Sequence, residues 1–220
     1  MPQPKPPSAP GFGVALASCQ GSRPAPTPDA PPVPDPAPDA NLPDQIWAMD
    51  ESRFGLRIDL KRRWCPRGVR PPWVVDDQYQ WVWLYAAVEP MTGRAVFCYL
   101  PEVTKAWFAC FLEHLSRAVG AGQAVVVLDN AGSHRAAIPW PAQLTPLPLP
   151  PYSPELNPAE QIFRVVRAKL ANHIFATLEE LETALTACLQ EFWEDPAILY
   201  HLTAYPWWRA GVEAMMSTNP

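Results

Sequence analysis

At 220 residues the chain has room for one domain with a substantial core and hardly for two, and its formal charge of −5 excludes a protein that holds nucleic acid by a generally basic surface. Five cysteines, odd in number and without a C-x-x-C pair, exclude a disulfide framework and a zinc knuckle. The absence of any apolar run of about 18 residues, and a start of Met-Pro-Gln-Pro-Lys, exclude a membrane span and a secretory leader, so a cytoplasmic protein is expected.

The first 43 residues hold fourteen of the 30 prolines. Such a stretch cannot bury enough apolar surface to offset its ordering entropy, so residues 1–43 read as a disordered Pro-rich leader and residues 44–220 as the folded domain. A docking site for a proline-reading partner is the alternative use of the leader.

Ile46-Trp47-Ala48-Met49 is a short apolar strand that delivers Asp50 at its end. Residues 57–75 are basic and interrupted by prolines, an irregular ribbon. Trp81 to Val88 and Ala95 to Leu100 form a hairpin around the turn signal Pro90-Met91-Thr92-Gly93. Thr104 opens a helix that ends near Gly120, with Trp107, Phe108, Phe111, Leu112 and Leu115 on its apolar stripe.

Ala124 to Leu128 is a fully apolar strand running into Asp129, and Leu147 to Leu149 is a candidate short strand. Two helices, Asn157 to Leu170 and Thr177 to Phe192, precede a Trp-rich tail. The order β, β, β, α, β, β, α, α predicts an α/β architecture with helices on a mixed sheet, which fits an RNase H-like fold among others.

The candidate site residues are acidic. Phosphodiester chemistry with two hard divalent cations needs carboxylates delivered from separate elements, and Asp50 and Asp129 each end an apolar strand. Read singly, both are also ordinary turn formers. In the stretch Leu149-Pro150-Pro151-Tyr152-Ser153-Pro154-Glu155-Leu156-Asn157-Pro158-Ala159-Glu160, Asn157 suits a helix N-cap and Pro158 the first helical position. Glu160 then sits in the first turn, where it is either a site carboxylate or a capping-box residue reaching back to Asn157.

Three motifs together, Asp50-Glu51-Ser52-Arg53-Phe54-Gly55, Leu128-Asp129-Asn130-Ala131-Gly132-Ser133-His134 and the Leu149–Glu160 stretch, resemble the insertion-sequence branch of the mariner-type DDE transposases over about residues 45–193. The resemblance implies an RNase H-like fold with Asp50, Asp129 and Glu160 as catalytic metal ligands, and leaves the neighbours Glu51 and Glu155 outside the set. It implies two divalent ions, Mg²⁺ or Mn²⁺, and metal-dependent cleavage of transposon ends followed by strand transfer into target DNA. An inactive or regulatory fragment and an RNase H-like nuclease without strand transfer remain the alternatives.

Lys61, Arg62 and Arg63 in the ribbon, His134 after the second aspartate, and Arg164 and Arg167 on the helix that carries Glu160 are the candidate DNA contacts. The resemblance further implies a homo-oligomer in the active complex, associated with the nucleoid when acting on DNA. Mariner-type enzymes place helix-turn-helix modules before the catalytic domain, and the leader does not read as one. DNA-end recognition is therefore expected from a separate polypeptide or from an upstream frame joined by frameshifting.

Overall fold

The computed structural model describes residues 15–18, 44–57, 67–68, 79–130 and 138–217. The remainder of the Pro-rich leader and nearly all of the basic ribbon lie outside the described residues. Among the described residues six strands form one sheet: β1 (Ala15–Ser18), β2 (Gln45–Gly55), β3 (Trp81–Glu89), β4 (Arg94–Leu100), β5 (Ala124–Leu128) and β6 (Leu144–Pro148). Their spatial order is β1-β4-β3-β2-β5-β6. The β2, β3 and β4 strands pair antiparallel, whereas β5 and β6 run parallel to β2.

Among the described residues five α-helices cover the sheet: α1 (Lys105–Val119), α2 (Ala159–Leu170), α3 (Leu178–Glu194), α4 (Pro196–Thr203) and α5 (Pro206–Ser217). The core is divided into two layers by the alternation of side chains along the strands. On one face Trp47, Met49 and Tyr85 meet Phe108, Phe111 and Leu115 of α1. On the other, Ile46, Ala48 and Phe54 meet Ile162, Phe163 and Val166 of α2 and the buried residues of α3 to α5. This is the mixed sheet flanked by helices that the element order predicted.

Several boundaries differ from expectation for physical reasons. Asp50 is not at the end of its strand, because β2 runs five residues further to Gly55, held by antiparallel pairing to β3 as far as Gly55↔Trp81. Parallel pairing of β2 to β5 spans only Gln45↔Ala124 to Ala48↔Val127. The last strand is Leu144–Pro148, an edge strand where Pro146 and Pro148 need donate nothing to a further neighbour. Ala15–Ser18, within the leader, adds an edge strand parallel to β4.

The Trp-rich tail is helical. Asp195 accepts a hydrogen bond from the Ala197 N–H at 3.0 Å and Pro196 opens α4, an N-cap and first-turn proline that the sequence carried. Trp208 and Val212 of α5 close the core. At the β3–β4 turn Gly93 has φ +72° and a Cβ there would stand 2.0 Å from the Pro196 carbonyl oxygen, so the turn and the start of α4 approach each other only through a glycine.

Candidate active site

Where β5 stops, β2 continues, and the site lies at that divergence. The β2–β5 register carried two residues past Ala48↔Val127 sets Asp50 beside Asp129, on neighbouring strands about 4.8 Å apart. Both then share the face of Ala48 and Val127, which is the face covered by α2. Glu51 falls on the opposite face, near Tyr85, whose hydroxyl pKa its charge helps to raise after burial.

Two asparagines hold the third carboxylate over these strands. Asn157, only 2% exposed, donates from Nδ2 to the Met49 carbonyl at 2.9 Å, and its Oδ1 accepts from the Ala159 N–H at 3.1 Å. The side chain thus ties the backbone beside Asp50 to the first turn of α2. Pro158 already has helical angles, φ −59° and ψ −27°, while Asn157 is extended. The backbone N–H of Asn157 donates to the Pro154 carbonyl at 2.9 Å, so the donor a capping-box Glu160 would need is already taken.

Asn130 donates from Nδ2 to the Leu149 carbonyl, and the Leu149 N–H bonds to the Leu128 carbonyl at 2.8 Å. These contacts hold the Pro-rich loop against the end of β5. Tyr152, at the tip of that loop, is fully exposed and has φ +59°, an uncommon backbone for a side-chain-bearing residue. Asp50, Asp129, Asn130, Asn157, Glu160 and the loop line one open cavity of about 440 Å³.

Burial and like charges converge on Asp50 in this cavity. Burial, followed by the negative charge of Glu160, raises the Asp50 pKa to about 8; the Glu51 N–H, 2.8 Å from its Oδ1, opposes the shift, and Glu51 and Asp129 add to it. Because the folded pKa lies above the unfolded one, the folded state holds more protons between these values, and stability falls as pH rises from about 4 to about 8. A divalent cation beside these carboxylates reverses that cost, and an all-oxygen donor set suits a hard ion. Among the described residues no three acidic, histidine or cysteine side chains already form a closed cluster around an ion position.

The other candidates separate. Arg167 donates to the Ser52 hydroxyl at 2.8 Å and to the Arg53 carbonyl at 2.9 Å, with its guanidinium 4.8 Å from the Phe54 ring, so it docks α2 onto the far half of β2. Arg164 is exposed on the same helix. Lys61, Arg62, Arg63 and His134 lie outside the described residues. Sequence reasoning missed the bridging roles of Asn130 and Asn157, although both stand in the motifs, because a side chain reaching a distant strand has no local periodicity.

Residues 45–182 match the family model of the DDE superfamily endonucleases. The chain belongs to this family. A protein of Sinorhizobium fredii, the uncharacterized y4pE/y4sA, is 32% identical over 119 residues, covering 53% of this chain and 88% of that protein. The DDE domain also superposes on Mos1 transposase in a paired-end complex with the left transposon end, with a TM-score of 0.56, 19% identity, and coverage of 79% of this chain and 56% of that one. For the Mos1 mariner paired-end complex with Mn the TM-score is 0.57 at 18% identity, covering 80% and 57%. The fold is therefore that of a mariner-type DDE domain, and the chain spans little more than half the length of those transposase chains.

Replacing Asn157 with alanine removes its hydrogen bonds to the Met49 carbonyl and the Ala159 N–H in a buried place, and is expected to cost about 2–4 kcal/mol in urea unfolding. Mg²⁺ at a hundred times its dissociation constant is expected to stabilise by about 2.7 kcal/mol, a rise of about 5–10 °C in melting temperature. Asp50→Asn should abolish that rise; a variant with an unchanged Mg²⁺ response would remove Asp50 from the ligand set.

Proposed function

We propose that the chain is the strand-cutting and strand-joining unit of a transposase, with Asp50, Asp129 and Glu160 as the ligands of two divalent ions, Mg²⁺ or Mn²⁺. The observation that carries the reading is that three carboxylates from β2, the end of β5 and the start of α2 line one cavity in a chain of the DDE family. When bound, the ions supply Lewis acidity for cleavage of a DNA phosphodiester bond.

The protein's own residues do the rest. Asn157 holds Glu160 over β2, and Asn130 holds the loop that walls the cavity. In this reading Arg164, exposed on α2, and Arg167, which also bonds to β2, meet DNA phosphate. Lys61, Arg62, Arg63 and His134 belong to the same DNA-contacting set in this reading. The 3′ hydroxyl freed by cutting a transposon end attacks a phosphorus of a target strand at the same carboxylates; the new P–O bond joins element to target while the target's own P–O3′ bond breaks and its 3′ oxygen leaves as a hydroxyl.

Residues 1–43 act as a leader to the catalytic unit 44–220. End recognition comes from a helix-turn-helix module supplied separately or joined by frameshifting, and the active complex is a homo-oligomer working in the cytoplasm at the nucleoid. Among the described residues no helix is long and apolar enough to cross a membrane.

The test incubates the protein and an upstream helix-turn-helix partner from its locus with Mn²⁺, supercoiled target plasmid and terminal-repeat duplex, either intact or pre-cut to a 3′ hydroxyl. Nicking of the intact end and joining of the pre-cut end are expected, and Asp129→Asn or Glu160→Gln should lower both by about a thousandfold, the loss of several kcal/mol of metal-ligand stabilisation. Nicking without joining would favour a nuclease, and neither reaction would favour an inactive or regulatory fragment.

A further inference from the structure

A second cavity, of about 660 Å³, opens along the outer half of β2, past the point where β5 ends. Its chemistry is opposite to that of the acidic cavity. Arg53, Arg57 and His173 line it together with Tyr79, Trp81 and Phe175, and among the described residues no Asp or Glu does. Its aromatic rings are open to solvent, Tyr79 at 74% and Trp81 at 43% exposure, well beyond what core packing requires. The Arg53 guanidinium lies 5.3 Å from the Trp81 ring centroid, and His173 stacks on Phe175 with centroids 6.3 Å apart and an interplanar angle of 17°.

The two cavities share their scaffold. Arg53 lies three residues beyond Asp50 on β2, about 10 Å along an extended strand and, by the alternation of side chains, on the opposite face, so the groove is reached around the edge of β2 that β5 leaves uncovered beyond Ala48. Arg167, which also lines the second cavity, lies seven residues beyond Glu160 on α2, about 10 Å along a helix. A basic and aromatic groove therefore begins a few nucleotides' length from the carboxylates, in a chain whose overall charge is −5. Cationic side chains interleaved with exposed rings are the chemistry that holds single-stranded nucleic acid, phosphates on the guanidinium groups and bases on the π-faces. A duplex, whose bases are already stacked on one another, would leave the rings unused.

We propose that this groove is a single-strand subsite that holds unpaired DNA flanking the phosphodiester bond acted on at Asp50, Asp129 and Glu160. The assignment rests on the DNA-processing reading of the acidic cavity, and identifies Tyr79 and Trp81 as the base-stacking residues and Arg53 and Arg57 as the phosphate contacts.

The test is equilibrium binding of the full chain to a labelled twelve-nucleotide thymidine strand and to a blunt duplex of the same length at low salt. It needs no cleavage, so failure of the cutting assay and failure of the groove are separate results. The double variant Tyr79→Ala/Trp81→Ala is expected to lose about tenfold or more in affinity for the single strand and to keep its duplex affinity within about twofold. Arg53→Gln/Arg57→Gln should lessen the salt dependence of single-strand binding by about 1.4 in the logarithmic slope.

Failure of the wild-type chain to bind the single strand, unchanged single-strand affinity in the variants, or a parallel loss of both DNAs would overturn the subsite. Should the aromatic double variant not fold, photocrosslinking of the wild-type chain to a strand carrying 5-iodouracil decides the matter. Adducts on Tyr79 or Trp81 support the groove, and adducts found elsewhere alone contradict it.

Discussion

The site depends on one buried side chain. Asn157 satisfies the Met49 carbonyl with its amide N–H and the Ala159 N–H with its amide oxygen, and is almost wholly withdrawn from water. A buried amide that found only one partner would cost about as much as a good hydrogen bond contributes, so both contacts must form together. That coupling sets where α2 begins relative to β2, and hence where Glu160 stands relative to Asp50. Asn130 does the equivalent work between β5 and the Pro-rich loop.

Around this link the sheet is arranged to bring like charges together. The parallel register of β2 and β5 puts Asp50 and Asp129 side by side, and helix packing lowers Glu160 onto the same face. The cost is visible in the upward displacement of the Asp50 pKa to about 8. A cation bound beside Asp50 would offset that cost.

The alternation of the strands, the apolar stripe of α1 and the strand-end position of Asp129 were all legible in the amino-acid order, because they are local periodicities. Three features were not. That β2 outruns Asp50 depends on β3, whose partnership is invisible until the sheet is assembled. That the Asn157 N–H, the donor a capping-box Glu160 would need, is already bonded to Pro154 is a contact between backbone groups that carries no side-chain signature. Arg167 reads as a candidate DNA contact, and that its donors also meet Ser52 and Arg53, 115 and 114 residues away in the chain, has no local signal.

In the proposed site Asp50, Asp129 and Glu160 together hold divalent metal. Crystals of the protein soaked in Mn²⁺ and measured by anomalous X-ray diffraction would show it. Anomalous peaks are expected within bonding distance of carboxylate oxygens from all three residues, about 2–2.3 Å, with Asn157 unmoved behind them. Peaks confined to other carboxylates, or well-ordered density for the three acids with no peak among them at saturating Mn²⁺, would contradict it.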